Sequence, residues 1–248
     1  MLHAGILGTT SEGAALCFRA FCQEGFVDLG PHDHPDVTLD CIALARNLPA
    51  WRRSDYQAVR ANLALSVARL AAAGAQFFAC PDNTSHIALE QPGPDLALPG
   101  LHIARVVAEQ ARRDGRRRVG LLGTRHTLEA GVYAAALAAA GTTAEVPGDD
   151  DRVVLHEMIV TELTNGVFTE RSRQDVIRIT GALKARGCDA VALVCTEIPL
   201  LVPSGSLPLP VLDSTRLLAR AAFEVAIGQR PLPAWRGGPP GSGGGDGG

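Results

Sequence analysis

Two stretches of the 248-residue chain end an apolar run on residues that can carry a proton. In FFACPDNTSH (77–86) the run stops at Cys80 and breaks into Asp82, Asn83 and Thr84. In VALVCTEIPL (191–200) it stops at Cys195, Thr196 and Glu197. Cys195, at a strand end before a turn, is either a thiol that a ligand can reach or an inert buried cysteine; a nearby helix N-terminus would favour its thiolate. Thr9, Thr10, Ser11, Asn83, Thr84, Ser85, Thr124, Thr127 and Thr196 fall around strand ends of the same kind. Small hydroxyls and amides beside backbone N–H groups suit a carboxylate, and each also suits a helix N-cap. Nine converging on one rim are harder to assign to capping alone.

Other stretches carry less chemistry. His32, Asp33 and His34 in HDHPD have no third ligand at a metal spacing, and the proline marks a surface loop. RRDGRRR (112–118) reads as a solvated helix end, GDDD (148–151) as a helix start, and LGTRHT matches no phosphate-binding glycine pattern. The six cysteines form no Cys-x-x-Cys pair, which argues against a disulfide framework and a zinc ribbon. Cys17, Cys22, Cys41 and Cys188 fall inside helix or strand patterns, where burial is the simpler role. A net charge of −3 offers no footprint for nucleic acid or an anionic membrane, and no apolar run is long enough to span a bilayer. The N-terminus lacks the marks of a signal peptide, so a cytoplasmic protein is expected.

The elements that must position these residues alternate. Strands are predicted at 3–8, 36–42, 75–80, 118–123, 143–146, 189–195 and 209–212. Helices are predicted at 11–24, 54–73, 101–113, 127–139, 151–164, 170–186 and 214–227. Strands apolar on both faces between helices imply an α/β fold with mostly parallel sheets. An internal repeat organises them. AGILGTTSEGA (4–14) is echoed by VGLLGTRHTLEAG (119–131), and the helix ends RLAAAGAQ and ALKARGCD precede the two proton-bearing strand ends. Gly8 and Gly123 lie 115 residues apart (123 − 8), Asp82 and Cys195 113 apart (195 − 82). The expectation is two pseudo-symmetric Rossmann-like domains with an active-site cleft between them, because ligands of parallel sheets bind at the carboxyl ends of strands. The expected division is 1–100 with 207–230, then 101–206, with 231–248 as a disordered Gly/Pro tail.

GILGTTSEGA, NTSH, VGLLGTRHTLEAGVY, HEMIVTELTNGVFTERSR, VCTEIPLLV and PVLDSTRLLARAA together resemble the cofactor-independent aspartate/glutamate racemase superfamily over residues 4–227. The resemblance implies two acid/base groups on opposite faces of the substrate, normally both cysteines, with no pyridoxal phosphate and no metal. It implies that Cys195 is the second-half catalytic cysteine, with Thr196 as its carboxylate-binding neighbour. Asn83 and Thr84 match the Asn-Thr after the first-half cysteine, and Thr124 the Gly-Thr hydroxyl. The chain departs from that pattern where it matters. Asp82 replaces the first cysteine, Cys80 stands two residues earlier, Gly-Thr-Thr-Ser-Glu replaces a Gly-Gly-Met-Gly-Pro opening, Leu218 a histidine and Val167 a lysine.

Proton exchange beside a carboxylate needs a base on one face and an acid on the other. With ordinary values of about 3.9 for Asp and about 8.5 for Cys, Asp82 would abstract and Cys195 deliver. Reversing the roles costs about 6 kcal/mol unless burial and mutual repulsion narrow the gap. The sequence therefore points to an amino-acid or related 2-substituted acid racemase or epimerase. Asp82 and Cys195 are its catalytic pair, and Thr9, Asn83, Thr84, Thr124, Thr196 and Glu197 its substrate-binding residues. A one-way carbanion enzyme and a silent small-acid binding protein are the alternatives. The expected partner is a small carboxylate substrate, and the expected assembly a homodimer.

Overall fold

The computed structural model describes residues 1–203 and 205–239. The chain divides into two compact units, Met1–Ile103 with the chain from Leu218 onward, and Ala104–Leu217. Each is built on one four-stranded, all-parallel sheet. The first holds β1 (Ala4–Gly8), β2 (Val37–Cys41), β3 (Phe77–Ala79) and β4 (Gly100–Leu101) in the order β2-β1-β3-β4. The second holds β5 (Arg118–Leu122), β6 (Thr143–Glu145), β7 (Ala190–Leu193) and β8 (Val211–Asp213) in the order β6-β5-β7-β8. The two orders are the same with the numbering advanced by four, so the internal repeat of the sequence is a repeat of topology.

The repeat extends to single contacts. Helix Tyr56–Ala72 precedes β3 and helix Glu170–Ala185 precedes β7. Beyond each, a glycine of positive φ turns the chain, Gly74 at +95° and Gly187 at +88°, and the next amide returns to a leucine carbonyl. Ala75 N bonds Leu70 O at 3.0 Å, and Cys188 N bonds Leu183 O at 3.1 Å. Those leucines press on strand glycines. A Cβ on Gly5 would lie 3.1 Å from Leu70 Cδ1, and one on Gly120 would lie 2.8 Å from Leu183 Cδ1. The leucines then lead separate cores. Leu7, Val59, Leu63, Val67, Leu70, Phe78 and Leu89 pack in the first unit. Leu122, Leu155, Ile159, Val176, Ile179, Leu183 and Leu193 pack in the second.

Three sequence expectations are corrected. The stretch 207–217 belongs to the second unit, because β8 pairs with β7 through Val191–Val211 and Leu193–Asp213. The predicted helix at 101–113 is preceded by β4, a two-residue strand beside β3 that is too short for any periodicity to reveal. The Gly/Pro tail is ordered as far as it is described. Within residues 231–239, Trp235 O accepts from Gly100 N of β4 at 2.7 Å and Arg236 O from Leu96 N at 2.9 Å. Tryptophan and arginine supply anchors that the surrounding glycines conceal in the composition. Residues 240–248 lie outside the described residues.

The strand-end glycines are tight as well as repeated. A Cβ on Gly8 would meet Ala14 Cβ at 2.5 Å, and one on Gly123 would meet Val194 Cγ2 at 2.7 Å and Val194 O at 2.8 Å. A backbone carbonyl cannot swing aside as a side chain can. Gly123→Ala is therefore expected to destabilise the protein by about 1–3 kcal/mol, read as a lower denaturation midpoint. An unchanged midpoint would show that the strand end has slack.

Candidate active site

In each sheet the chain leaves the first strand to one side and returns on the other. The switch of direction falls between β1 and β3, and again between β5 and β7. Ligands of open α/β sheets bind outside the carboxyl ends of strands at such a point. The residues emerging there are Thr9 and Asp82 in the first unit, and Thr124 and Cys195 in the second.

In the first unit Asp82 is half-buried and takes three hydrogen bonds. Thr9 Oγ1 and Ser85 Oγ donate to Oδ2, the latter at 2.8 Å, and Ser85 N donates to Oδ1 at 3.2 Å. The last contact makes Asp82 a cap for the short helix Ser85–Leu89, since Thr84 makes no side-chain capping bond there. Thr9 is itself buried, and Thr10 caps helix Ser11–Asp28 by accepting from Gly13 N at 3.3 Å. Asn83, also buried, donates from Nδ2 to Pro81 O at 3.3 Å. Cys80 does not share the outlook of Asp82. The strand ends at Ala79, and Cys80 is wholly enclosed in the apolar core, its Sγ directed 3.8 Å toward Asp82 O. Burial first, and the Asp82 charge second, push its thiol well above the ordinary range.

His86, within NTSH, is absent from the site residues expected from the sequence. It is fully buried, and its Nδ1 lies 3.0 Å from Asp82 O. The signal that identifies it is its spacing, four residues beyond Asp82 and so one helical turn along.

In the second unit Thr124 caps helix Arg125–Glu129, accepting from Thr127 N at 3.3 Å, with the two threonine hydroxyls 3.0 Å apart. Val194 N continues the ladder one residue past β7 by bonding Leu122 O at 2.8 Å. Cys195 is 6 % exposed and donates from Sγ to Glu197 Oε2 at 3.1 Å. Burial, then the Glu197 negative charge, push the thiol well above its ordinary range, since both disfavour the thiolate. Glu197, expected on sequence grounds to bind substrate, faces the thiol, and Thr196 beside it is buried.

This geometry defines a class, an α/β protein with two repeats of one strand-end design, in which one copy presents a carboxylate and the other a thiol. Residues 6–222 match the Asp/Glu/Hydantoin racemase family, and the chain belongs to that family. It is 21% identical over 214 residues to the broad specificity amino-acid racemase RacX of Bacillus subtilis (strain 168), covering 84% of this chain and 88% of that protein. A solved structure of an Asp/Glu racemase candidate from Yersinia pestis superposes with a TM-score of 0.79 at 30% identity, covering 92% of this chain and all of the other. An aspartate racemase homologue from Pyrococcus horikoshii gives a TM-score of 0.74 at 26% identity, with 92% and 100% covered. The family takes its description from racemases, which are isomerases, and RacX is an amino-acid racemase.

Proposed function

We propose that the protein is a pyridoxal-phosphate-independent amino-acid racemase or epimerase whose acid/base pair is Asp82 and Cys195. The observation that carries this reading is the matched position of the two residues. Each follows the third strand of its repeat, one on a carboxylate and one on a thiol, within a chain of a racemase family. Three donors converge on the Asp82 carboxyl oxygens, so those oxygens act as acceptors. Asp82 takes the proton from the carbon next to the substrate carboxylate, and the Cys195 thiol returns one from the opposite face. In the reverse direction Cys195 must first lose its proton, and Glu197, 3.1 Å away, is the group placed to take it. Asn83, Thr84, Thr124 and Thr196 hold the substrate carboxylate and the enediolate charge that develops on it.

A second reading draws on the same thiol. Burial and Glu197 both oppose a thiolate at Cys195, which favours delivery of a proton over removal of one. A one-way carbanion enzyme, with Cys195 as terminal proton donor, uses that bias directly. Incubating the protein with each L- and D-amino acid in heavy water, and following the α-proton by NMR together with optical rotation, separates the readings. Exchange with inversion is the expected result. Conversion to a different product supports the one-way enzyme, and no exchange with any amino acid removes the racemase assignment.

Activity is expected to be unchanged in excess EDTA and without added cofactor. Among the described residues no group of three His, Cys, Asp or Glu is arranged to hold a metal ion. Loss in EDTA with recovery on one divalent metal would overturn this expectation.

A further inference from the structure

Behind Asp82 lie two buried histidines, covered by a partly buried tryptophan, that the acid/base reading leaves without a role. His86 and His102 meet edge to face at 4.9 Å between ring centroids. Trp235, carried in by the C-terminal segment, stacks on His86 at 5.9 Å with only 12° between the planes. It also meets His102 edge-on at 4.9 Å. The hydrogen bonds fix which ring nitrogen of His86 carries the proton. Nδ1 faces the carbonyl of Asp82, an acceptor, at 3.0 Å, so it must be N–H. Nε2 faces the amide of Ile103, a donor, at 3.3 Å, so it must be the bare lone pair. A doubly protonated ring would set N–H against N–H at Ile103. Burial, with the neighbouring His102 second, lowers the His86 pKa to about 3, which agrees with a neutral ring. His102 turns its own Nε2 away to Glu90 at 2.7 Å and does not compete for these partners.

We infer that His86 is a positioning residue for Asp82, and that Trp235 holds it in the one tautomer and ring orientation that can do this. The inference rests on Asp82 being the base. Asp82 sits two residues past Cys80, where sheet pairing has ended, and its backbone is braced by His86 Nδ1 and by the start of a five-residue helix. A helix that short has little rigidity of its own. A carboxylate moved by about 1 Å can lose about a hundredfold in rate, so a brace on its backbone has kinetic consequence. Through Nε2 the same ring accepts from the amide of Ile103, the last residue of the first unit's N-terminal stretch. One imidazole thus ties the strand end bearing the base to the point where the chain leaves the unit.

Two amides of similar polarity separate this from mere packing. In His86→Asn the amide nitrogen falls where Nδ1 was, so the bond to Asp82 O is kept. In His86→Gln the amide reaches the Nε2 position, so the bond to Ile103 is kept and the one to Asp82 is lost. The assay is α-deuterium exchange with the fastest amino acid of the panel. His86→Asn is expected within about threefold of wild-type kcat and His86→Gln about tenfold or more below it, with KM within about twofold for both. Trp235→Leu is expected to lower kcat about tenfold and, in ¹⁵N-histidine spectra, to replace the single Nδ1–H form of His86 by a mixture of tautomers. Equal kcat for the two amides, with Asp82→Asn inactive, overturns the inference and leaves the acid/base reading standing. Should both amides fail to fold, an unaltered kcat in Trp235→Leu overturns it. If the wild type exchanges no amino acid, the acid/base reading fails, and the tautomer of His86 alone decides whether it braces the Asp82 strand end.

Discussion

Cys195→Ala is expected to lower turnover by roughly a thousandfold or more while the protein stays folded. A positioned general acid or base contributes about 10²–10⁴ in rate, and with the thiol gone one face of the substrate has no proton to receive. The fold should tolerate the loss. Cysteine to alanine removes one atom from a packed site, a change of about 1 kcal/mol, far below the 2–5 kcal/mol of a leucine truncation. Removing the thiol also relieves Glu197 of a neighbour whose ionised form it opposes. In the direction where Cys195 donates, the wild-type rate falls only as pH rises through the raised thiol value. The alkaline limb should therefore lie above the ordinary thiol range. Retention of more than a few per cent of turnover by the alanine variant would take Cys195 out of the mechanism.

Asp82→Asn is expected to reduce the rate by about 10²–10⁴ with the helix cap preserved. Asparagine keeps an oxygen for Ser85 N, and the hydroxyls of Thr9 and Ser85 can turn to accept from its NH₂ group. What it cannot do is accept a proton from carbon. The structure makes this substitution more telling than the sequence alone could, because capping by Asp82 is real and Asn is as good a cap. A nearly unimpaired Asn variant would mean that capping is all Asp82 does. Asp82→Cys should recover part of the rate and move the pH optimum upward, since a thiol titrates several units above a carboxylate.

The parts of this site that were legible in the sequence are those fixed by backbone geometry. Gly8-Thr9 and Gly123-Thr124 stand out because only glycine fits against Ala14 and against the Val194 carbonyl. The helix-ending Gly74 and Gly187 stand out because their positive φ excludes most other residues. Those glycines, together with the near-equal spacing of Asp82 and Cys195, mark two copies of one α/β unit. The features that escaped leave no periodic trace. Helices Ser85–Leu89 and Ile198–Leu201 are too short for a 3.6-residue pattern, and β4 has two residues. The unit boundary at 217/218 escaped because it falls inside the continuous helix Ser214–Ala226, with no linker composition to mark it. The contact of Glu197 with Cys195 depends on side-chain direction in a turn, which spacing does not specify.

The C-terminal segment also bears on solubility. β4 is an outer strand of the first sheet, and an outer strand with free amides is a template on which another chain can add. Here the amide of Gly100 is occupied by Trp235, that of Leu96 by Arg236, and Leu89 O accepts from Gly238 N at 2.8 Å. The chain closes its own open margin with its last described residues. Shortened versions ending near residue 230 would leave that margin bare, and self-association would then accompany any loss of activity.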